Sequence, residues 1–324
     1  RILERYARQG ASGMAFPDRQ THQSTTGAAL ALRHEPARGE AVGVVHILHG
    51  LADHSARYQD FATQLAAAGF HAYAHDHRGH GFTEGPGAPQ GSFDHGGDGP
   101  DLVLADIASL HDRFSETHPG LPLLLFGHSM GGTIALAYAF RHAGRLAGCA
   151  AWNASLTAGL AGRAAKAVLG WERFRRGSDV PSFLLPRLTF GQWATSVKNR
   201  RTEFDWLSRD PAIVDAYVAD PLCGWPASVG MWNDILEMVF EITRPENAPT
   251  DAGRLPYHLL GGGRDPATEF GKAVERQAER MRAAGFADVT LELQPEMRHE
   301  TLNEIGHDEI EAALINWMKV KAGA

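Results

Sequence analysis

The sequence predicts an α/β fold with a mostly parallel central sheet, helices on both faces and a helical insertion. Short apolar runs alternate with longer amphipathic segments in the first half and in the last quarter of the 324-residue chain. This alternation is typical of folds in which helices connect parallel strands. Between the two parts, residues 155–252 break the alternation and show helical patches without a clear strand. So long a segment is not a simple connection, which predicts an inserted helical cap.

The individual elements follow from hydrophobic spacing and from glycine signals. The run 42–48 is apolar and β-branched, as in a strand covered on both faces, and the helix predicted at 58–68 stops at Gly69. The other predicted strands are 27–34, 70–75, 121–126, 146–151, 255–260 and 289–293, and the other predicted helices are 101–117, 131–142, 267–284 and 307–320. Residues 1–154 and 253–324 are thereby assigned to the core, and 155–252 to the cap or lid.

Composition excludes several classes of protein. Hydrophobic residues make up 44% of the chain and charged residues 21%, which is ordinary for a globular domain. A net charge of −7 without a long basic run argues against nucleic-acid binding. The two cysteines, Cys149 and Cys223, are too few for a disulfide framework or a zinc ribbon.

Apolar runs long enough for membrane insertion are missing from the sequence. No stretch of eighteen apolar residues occurs, and the charged first ten residues contain no apolar segment. We therefore expect neither a transmembrane helix nor a signal peptide. The expected location is cytoplasmic, with peripheral contact to membranes as an open alternative, and the sequence does not determine the oligomeric state.

The motif Gly-His-Ser-Met-Gly at 127–131 contains the predicted nucleophile, Ser129. Gly-x-Ser-x-Gly is a weak signal by itself, but here it follows a predicted strand and opens a predicted helix, as a nucleophile elbow requires. Such a turn directs the N–H of Met130 and the positive end of the helix to the same point as the serine. The alternative is a serine that caps an ordinary helix.

A nucleophilic serine needs a base, and the base needs an acid that orients it. In folds with this elbow the chain order is Ser, then Asp or Glu, then His, with each residue on a loop after a strand. Asp265 follows the predicted strand 255–260, and His299 follows the strand 289–293. The alternatives are an aspartate that only shapes a turn and a solvated histidine. His307, at the start of the last helix, is the rival base.

The loop at 49–53 follows an earlier predicted strand, where this fold supplies a second oxyanion donor. We predict the N–H groups of Leu51 and Met130 as the pair of donors, each stabilising the transition state by about 3 kcal/mol. His49 and Gly50 would alternatively only shape a tight turn.

The segment 75–80, His-Asp-His-Arg-Gly-His, suggests a metal site because it nearly matches the H-x-H-x-D-H pattern of the metallo-β-lactamase family. Gly79 stands where that family has an aspartate ligand, and matching downstream ligands are not evident. The structural alternative is a loop in which Asp76, Arg78 and the histidines bond neighbouring backbone. No metal or other cofactor is therefore predicted.

Four segments resemble the monoacylglycerol lipase and lysophospholipase-like family of α/β-hydrolases, which are S33-like serine hydrolases. They are 49–58 (HGLADHSARY), 76–81 (DHRGHG), 127–132 (GHSMGG) and 298–304 (RHETLNE). The resemblance extends over about residues 27–320 and implies the α/β-hydrolase fold. It also implies that Ser129, Asp265 and His299 form the catalytic triad, with Leu51 and Met130 as oxyanion donors.

The resemblance implies a serine esterase or lipase that acts on monoacylglycerols or lysophospholipids through an acyl-enzyme. Two departures concern Asp53, which stands where glutamate is usual, and the cap, which differs more than the core. We also predict substrate contacts for four residues: His49, Gly50, His128 and Cys223, the last within a segment, 220–223, that resembles part of the family's cap.

Large apolar side chains are frequent in the predicted cap. They either line an acyl tunnel or pack ordinarily, and joint exposure around its mouth would indicate docking on lipid aggregates. The set comprises Trp171, Phe174, Phe183, Leu184, Leu185, Phe190, Trp193, Trp206, Trp225 and Trp232. Because a fold does not fix a substrate, a peptidase, a thioesterase and a non-catalytic ligand-binding protein stay open as alternatives.

Overall fold

A computed structural model describes residues 19–154, 156 and 159–324. Its eight strands form one sheet in the order β1-β2-β4-β3-β5-β6-β7-β8. The strands are β1 Gln20–Gln23, β2 Ala29–Glu35, β3 Gly43–Leu48, β4 Phe70–His75, β5 Leu123–His128, β6 Gly148–Trp152, β7 Tyr257–Gly262 and β8 Val289–Gln294. β2 is antiparallel to β1 and β4, and all other neighbours are parallel. The carboxyl ends of β3 to β8 therefore meet at one edge of the sheet.

Ten α-helices lie in the described part of the chain. They are α1 Gln59–Ala67, α2 Gly99–Thr117, α3 Met130–His142, α4 Gly159–Arg176, α5 Leu185–Leu188, α6 Phe190–Ser196, α7 Pro211–Ala219, α8 Val229–Ile242, α9 Lys272–Ala283 and α10 His307–Ala322. α1 and α10 bury apolar side chains against one face of the sheet, and α2, α3 and α9 against the other. The predicted α/β architecture with helices on both faces is thus confirmed.

Several predicted strands begin too early in the chain. The predictions 121–126 and 255–260 include Pro122 and Pro256, whereas β5 and β7 each begin directly after the proline. A proline has no N–H to donate to the ladder, so the regular strand starts behind it. β1 was not predicted, because its four residues, Gln-Thr-His-Gln, are polar and lie at the exposed edge of the sheet.

Helices α4 to α8 all lie between β6 and β7, within the segment predicted as a helical cap. α8 buries Trp232, Ile235 and Met238 in the same core as α3, so the insertion packs onto the sheet domain. The cap bounds at 155 and 252 stay a prediction. The first ten residues, for which no signal peptide is expected, lie outside the described part of the chain. No helix among the described residues has the length and apolar character needed to cross a bilayer.

Candidate active site

Ser129 lies alone between the end of β5 and the start of α3, at the carboxyl edge of the sheet. Its φ of 57° and ψ of −119° are rare for a residue with a side chain. A Cβ on Gly127 would overlap the carbonyl of Gly131, and a Cβ on Gly131 would overlap the carbonyl of Leu48. The two motif glycines are therefore required by close backbone packing, which holds the serine in its strained turn.

His299 connects the serine to an aspartate. Its Nε2 lies 2.9 Å from Ser129 Oγ, and its Nδ1 lies 2.9 Å from Asp265 Oδ2. Asp265 follows β7 and His299 follows β8, so the structure brings together the three residues predicted as a triad. These distances are those of a base that bonds a nucleophile and is oriented by an acid. His307 instead begins α10 and bonds the carbonyl of Glu304 through Nδ1, at 2.8 Å.

Asp265 is completely buried yet well supplied with hydrogen-bond donors. Asn153 Nδ2 and the N–H of Ala267 each donate to it over 2.9 Å, and Thr268 Oγ1 donates over 3.0 Å. Burial by itself raises the pKa of this carboxyl, but the proximity of His299 and these donors outweigh burial and lower the pKa. Asp265 is therefore a carboxylate at neutral pH, which keeps the proton of His299 on Nδ1.

Asn153 is a site residue that the sequence analysis missed. It follows β6 directly, has a left-handed φ of 49°, and accepts a bond from Thr301 Oγ1 over 2.9 Å through its Oδ1. One side chain thus connects the loop of Asp265 to the loop of His299. Its position directly after a buried parallel strand was the available signal, because site residues collect at that edge.

Leu51 and Met130 lie beside the serine, in the wall of one cavity. Met130 is the first residue of α3, so its N–H belongs to the unsatisfied end of the helix. Within the described chain, neither amide donates to a protein acceptor. A Cβ on Gly50 would come within 3.4 Å of Ser129 Cβ, which shows how closely this loop approaches the serine. Both amides are thereby available to a group bound at Ser129.

A buried ionic network lies under the loop of Leu51. Arg57 donates to both carboxylate oxygens of Glu300 at 2.8 Å and to Asp53 at 3.1 Å. Burial opposes ionisation of Glu300, but the adjacent Arg57 prevails and lowers the pKa of that carboxyl. Glu300 follows His299 in the chain, so the network connects the loop of Leu51 to the loop of His299.

His128 fixes the backbone of His299. Its Nε2–H donates to the His299 carbonyl over 2.9 Å, and its Nδ1 lies 3.2 Å from the hydroxyl of Tyr58. Burial, reinforced by the neighbouring His299, lowers the pKa of His128 to about 4. The ring is therefore neutral at pH 7, with one nitrogen as donor and the other as acceptor.

A cavity of about 1210 Å³ opens onto the serine between the sheet and the cap helices. Trp206 of the cap packs against His299, with 4.9 Å between the ring centroids of the two residues. The N–H of Glu300 donates to the carbonyl of Leu207 over 2.7 Å. Large apolar side chains dominate the cap wall: Phe183, Leu185, Phe190, Trp193, Trp206, Trp225, Trp232, Ile235 and Val239. The insertion thus provides most of the surface that a bound molecule would contact.

Comparison with known proteins identifies the family. The model of the family described as serine aminopeptidase, S33, matches residues 39–306, which is most of the chain. The chain belongs to this S33 family. The resemblance that the sequence motifs predicted is thereby confirmed.

Two relatives and one solved structure are similar to this S33 protein over most of its length. A monoacylglycerol lipase from Mycolicibacterium smegmatis is 30% identical over 81% of this chain and 82% of its own length. The human monoglyceride lipase is also 30% identical, over 74% of this chain and 70% of its own length. A thermostable carboxyl esterase from Bacillus coagulans superposes with a TM-score of 0.82 at 25% identity, covering 96% of this chain and 100% of the esterase. The α/β-hydrolase fold is confirmed.

Two of the four predicted substrate contacts do not reach the cavity of this S33 protein. Gly50 and His128 line it, whereas His49 and Cys223 are not among the described residues that do. His49 is buried and bonds the Gly50 carbonyl through Nδ1 at 2.8 Å, so it shapes the turn instead. Cys223 packs in a small apolar cluster with Trp206 and other cap residues. The contacts of His49 and Cys223 with a substrate therefore stay a prediction.

The histidine-rich segment 75–80 forms hydrogen bonds to neighbouring backbone, as expected of a structural loop. Asp76 accepts hydrogen bonds from the N–H groups of Ser55 and Phe82, each at 2.9 Å. Arg78 is buried, bonds Asp106 at 2.8 Å and donates to the Phe93 carbonyl at 3.1 Å. These contacts tie the loop to neighbouring backbone and to α2.

Proposed function

We propose that the protein is a serine hydrolase that cleaves the ester bond of monoacylglycerols through an acyl-enzyme intermediate. The observation that supports this most is the large apolar cavity that ends at the hydrogen-bonded Ser129, His299 and Asp265. The names of the two 30% identical relatives point to the same substrate class.

In the first half-reaction His299 Nε2 removes the proton of Ser129 Oγ as the oxygen attacks the ester carbonyl. The N–H groups of Leu51 and Met130 stabilise the oxyanion, and the positive end of α3 adds to their effect. Asp265 stays ionised and stabilises the imidazolium through Nδ1–H. His299 then gives its proton to the departing glycerol oxygen, which leaves an acyl group on Ser129.

In the second half-reaction water takes the place of the alcohol. His299 accepts a proton from the water as it attacks the acyl carbonyl, and the same two amides hold the new oxyanion. Collapse of this intermediate returns the proton from His299 to Ser129 Oγ and releases the fatty acid. The neutral His128 keeps the His299 backbone in place through both steps.

The cavity favours an acyl chain over a peptide. Its volume of about 1210 Å³ exceeds the ~300–1,000 Å³ of ordinary small-molecule pockets, so a long hydrocarbon chain has room. Burying such a chain against the aromatic and aliphatic wall stabilises the complex by about 25 cal/mol per Å² of apolar surface. A peptide in the same place would set many of its amide groups against apolar side chains, which is costly.

A substrate panel with one active-site variant tests the assignment. We expect the wild type to hydrolyse monoacylglycerols faster than acyl-CoA thioesters or amino-acid p-nitroanilides. Ser129→Ala, folded by circular dichroism, is expected to lose at least about 10⁴-fold in kcat. A fluorophosphonate adduct located by mass spectrometry should lie on Ser129. A label on another residue would refute the mechanism, and faster cleavage of the anilides would replace the lipase by a peptidase.

Chain-length selectivity tests the role of the cavity. Ala165 of α4 lines the cavity, whereas Ala167 of the same helix is exposed and outside it. Ala165→Trp should reduce kcat/KM for long-chain esters much more than for acetyl or butyryl esters, because the added ring occupies the space of the distal chain. Ala167→Trp is the matched control and should leave the ratio unchanged. Equal ratios in the two variants would show that the acyl chain binds elsewhere.

The cap also has an exposed apolar surface, which we propose docks on anionic lipid aggregates. Leu160 and Phe174 of α4 are 84% and 87% exposed, and Trp171 is 56% exposed. The same helix ends with Arg173, Arg175 and Arg176 in its last turn. Apolar side chains beside basic ones suit an interface with acidic headgroups.

Vesicle sedimentation tests this docking. The wild type should bind vesicles that contain phosphatidylserine more strongly than pure phosphatidylcholine vesicles, and added salt should weaken the binding. Phe174→Ser should reduce binding while turnover of a soluble short-chain ester is unchanged. Val320→Ser is the control, because Val320 is 61% exposed but belongs to α10 of the core and not to the cap. Equal binding by Phe174→Ser would exclude α4 as the docking helix.

A further inference from the structure

Three histidines far apart in the sequence meet at the edge of the sheet opposite to Ser129. His34 lies in β2, His71 in β4, and His118 is the C-terminal cap residue of α2. In register, His71 is level with Val44 of β3, which is level with Leu123 at the start of β5. The site therefore lies at least four residues, or about 13 Å, back along the strands from the Gly127 level.

The nitrogen atoms of the three rings are close together. One ring nitrogen of each residue lies within 4.8 Å of the other two, and His34 Nε2 is only 3.1 Å from His71 Nδ1. The rings of His71 and His118 are stacked, with 3.9 Å between their centroids. Tetrahedral zinc with Zn–N bonds of 2.0–2.1 Å separates its nitrogen ligands by about 3.3 Å. The 3.1 Å between His34 Nε2 and His71 Nδ1 is already close to that spacing.

One nitrogen of the cluster is identified as unprotonated by its hydrogen bond. The N–H of Ala37 donates to His71 Nδ1 over 3.3 Å, so this nitrogen carries no proton, and a metal would replace Ala37 as its partner. Imidazole binds a metal through such an unprotonated nitrogen. The negative end of α2 also favours a cation near His118.

Of the residues around the three histidines, Tyr73 would favour a bound metal ion and Arg113 would oppose it. Tyr73 stacks on His34 with 4.0 Å between centroids, and its hydroxyl lies 2.8 Å from His118 Nε2. A second group that bonds a ligand ring in this way fixes its orientation. Arg113, whose charge is one of the causes that lower the pKa of His34, opposes a cation, but its guanidinium is engaged with Gln20 at 2.7 Å.

We propose that His34, His71 and His118 form a binding site for a divalent transition metal such as Zn²⁺, remote from the catalytic centre. Three imidazoles with an open fourth position for water suit zinc, whereas Mg²⁺ and Ca²⁺ prefer oxygen ligands. The metal connects β2, β4 and the end of α2, so its binding stabilises the folded state. The sequence predicted no metal site because these histidines form no local motif.

Calorimetric titration of the full, tag-free chain with Zn²⁺ tests the proposal. We expect one tight site per chain in the wild type, no binding of Mg²⁺, and a thermal midpoint that rises with added Zn²⁺. His34→Gln, His71→Gln and His118→Gln should each weaken Zn²⁺ binding at least about tenfold, because outer partners of zinc ligands already contribute ten- to a hundredfold. Glutamine keeps a polar side chain of similar size, so folding at neutral pH is retained and is checked by circular dichroism.

Two variants separate this site from others. His95→Gln removes an exposed histidine outside the cluster and should leave the affinity unchanged. Cys223→Ser removes a ligand of the other group with metal-binding spacing among the described residues, His54, Asp220 and Cys223. Loss of the tight site in Cys223→Ser, its persistence in His71→Gln, or no Zn²⁺ binding by the wild type would overturn the proposal.

Discussion

Arg57 and Glu300 form a two-bond ion pair, with both N–O distances 2.8 Å, between the segment that follows the loop of Leu51 and the loop of His299. Their side chains are only 14% and 5% exposed, so the pair is shielded from water. Removing one partner would leave the other charge buried and uncompensated. The two segments that carry Leu51 and His299 are thereby joined.

Arg57→Ala is expected to lower the free energy of unfolding by about 3–5 kcal/mol and to reduce kcat for ester hydrolysis. Urea unfolding of the wild type and the variant measures the change. Arg145→Ala is the matched control, because it breaks an exposed pair with Asp112 whose side chains are 45% and 60% exposed. That surface pair should contribute at most about 1 kcal/mol. Equal effects of the two variants would contradict a special role of Arg57.

Asn153 is expected to affect the proposed reaction through its bonds to Asp265 and Thr301. Asn153→Gly keeps the left-handed backbone available but removes the side-chain bonds to Asp265, Thr301 and the Arg298 carbonyl. We expect kcat to fall about tenfold to a hundredfold, with KM nearly unchanged, because Asp265 and His299 lose their alignment. Steady-state kinetics on a monoacylglycerol measures this. Thr301→Val, which removes only the bond to Asn153 Oδ1, should have a smaller effect, and a change confined to KM would argue against positioning.

A substitution of Gly131 tests the packing that holds Ser129 in its turn. Gly131→Ala places a methyl group on the backbone carbonyl of Leu48, which cannot move without disturbing β3. The expected loss of stability is at least about 3 kcal/mol, the upper end for overpacked sites. Gly170→Ala in α4, where no atom lies within 4 Å of the added Cβ, should instead stabilise by about 0.5–1 kcal/mol. Thermal unfolding compares them, and a stable Gly131→Ala protein would contradict the close approach.

Acid sensitivity should follow from buried neutral histidines such as His80. Burial lowers the pKa of His80 to about 3, whereas an unfolded histidine titrates near 6.5. Between these values the unfolded state binds the extra proton, so stability is full above about pH 6.5 and is lost as the pH falls towards 3. At pH 5 this single residue costs about 2 kcal/mol.

His80→Gln isolates that contribution, because glutamine does not titrate and can still donate to the Arg78 carbonyl. Denaturant unfolding at pH 7 and pH 5 should show a loss of stability that is about 2 kcal/mol smaller in the variant than in the wild type. The exposed His95, replaced by glutamine, serves as the reference. Identical pH dependence in wild type and His80→Gln would mean that His80 titrates normally in the folded protein.

Features that depend on residues close together in the chain can be predicted from the sequence. The sequence shows the apolar run of β5, the glycines at 127 and 131 and the chain order of Ser129, Asp265 and His299. The connectivity of parallel strands then brings the three side chains to one edge of the sheet. The first residues of the strands are harder to predict, because Pro122 and Pro256 lie within apolar runs although the regular strands begin after them.

Tertiary structure alone decided how side chains from distant segments meet. The pairing of Arg57 with Glu300, the bridge made by Asn153 and the cluster of His34, His71 and His118 each join segments that no local pattern relates. His49 is predicted to contact the substrate, and in the structure its Nδ1 bonds the Gly50 carbonyl, a contact that depends on packing and not on local sequence. The sequence by itself determined the α/β-hydrolase frame and the order of the site residues, because both follow from local periodicity. Only the packed structure decided the cavity and the buried polar networks, because these arise where the cap and the sheet meet.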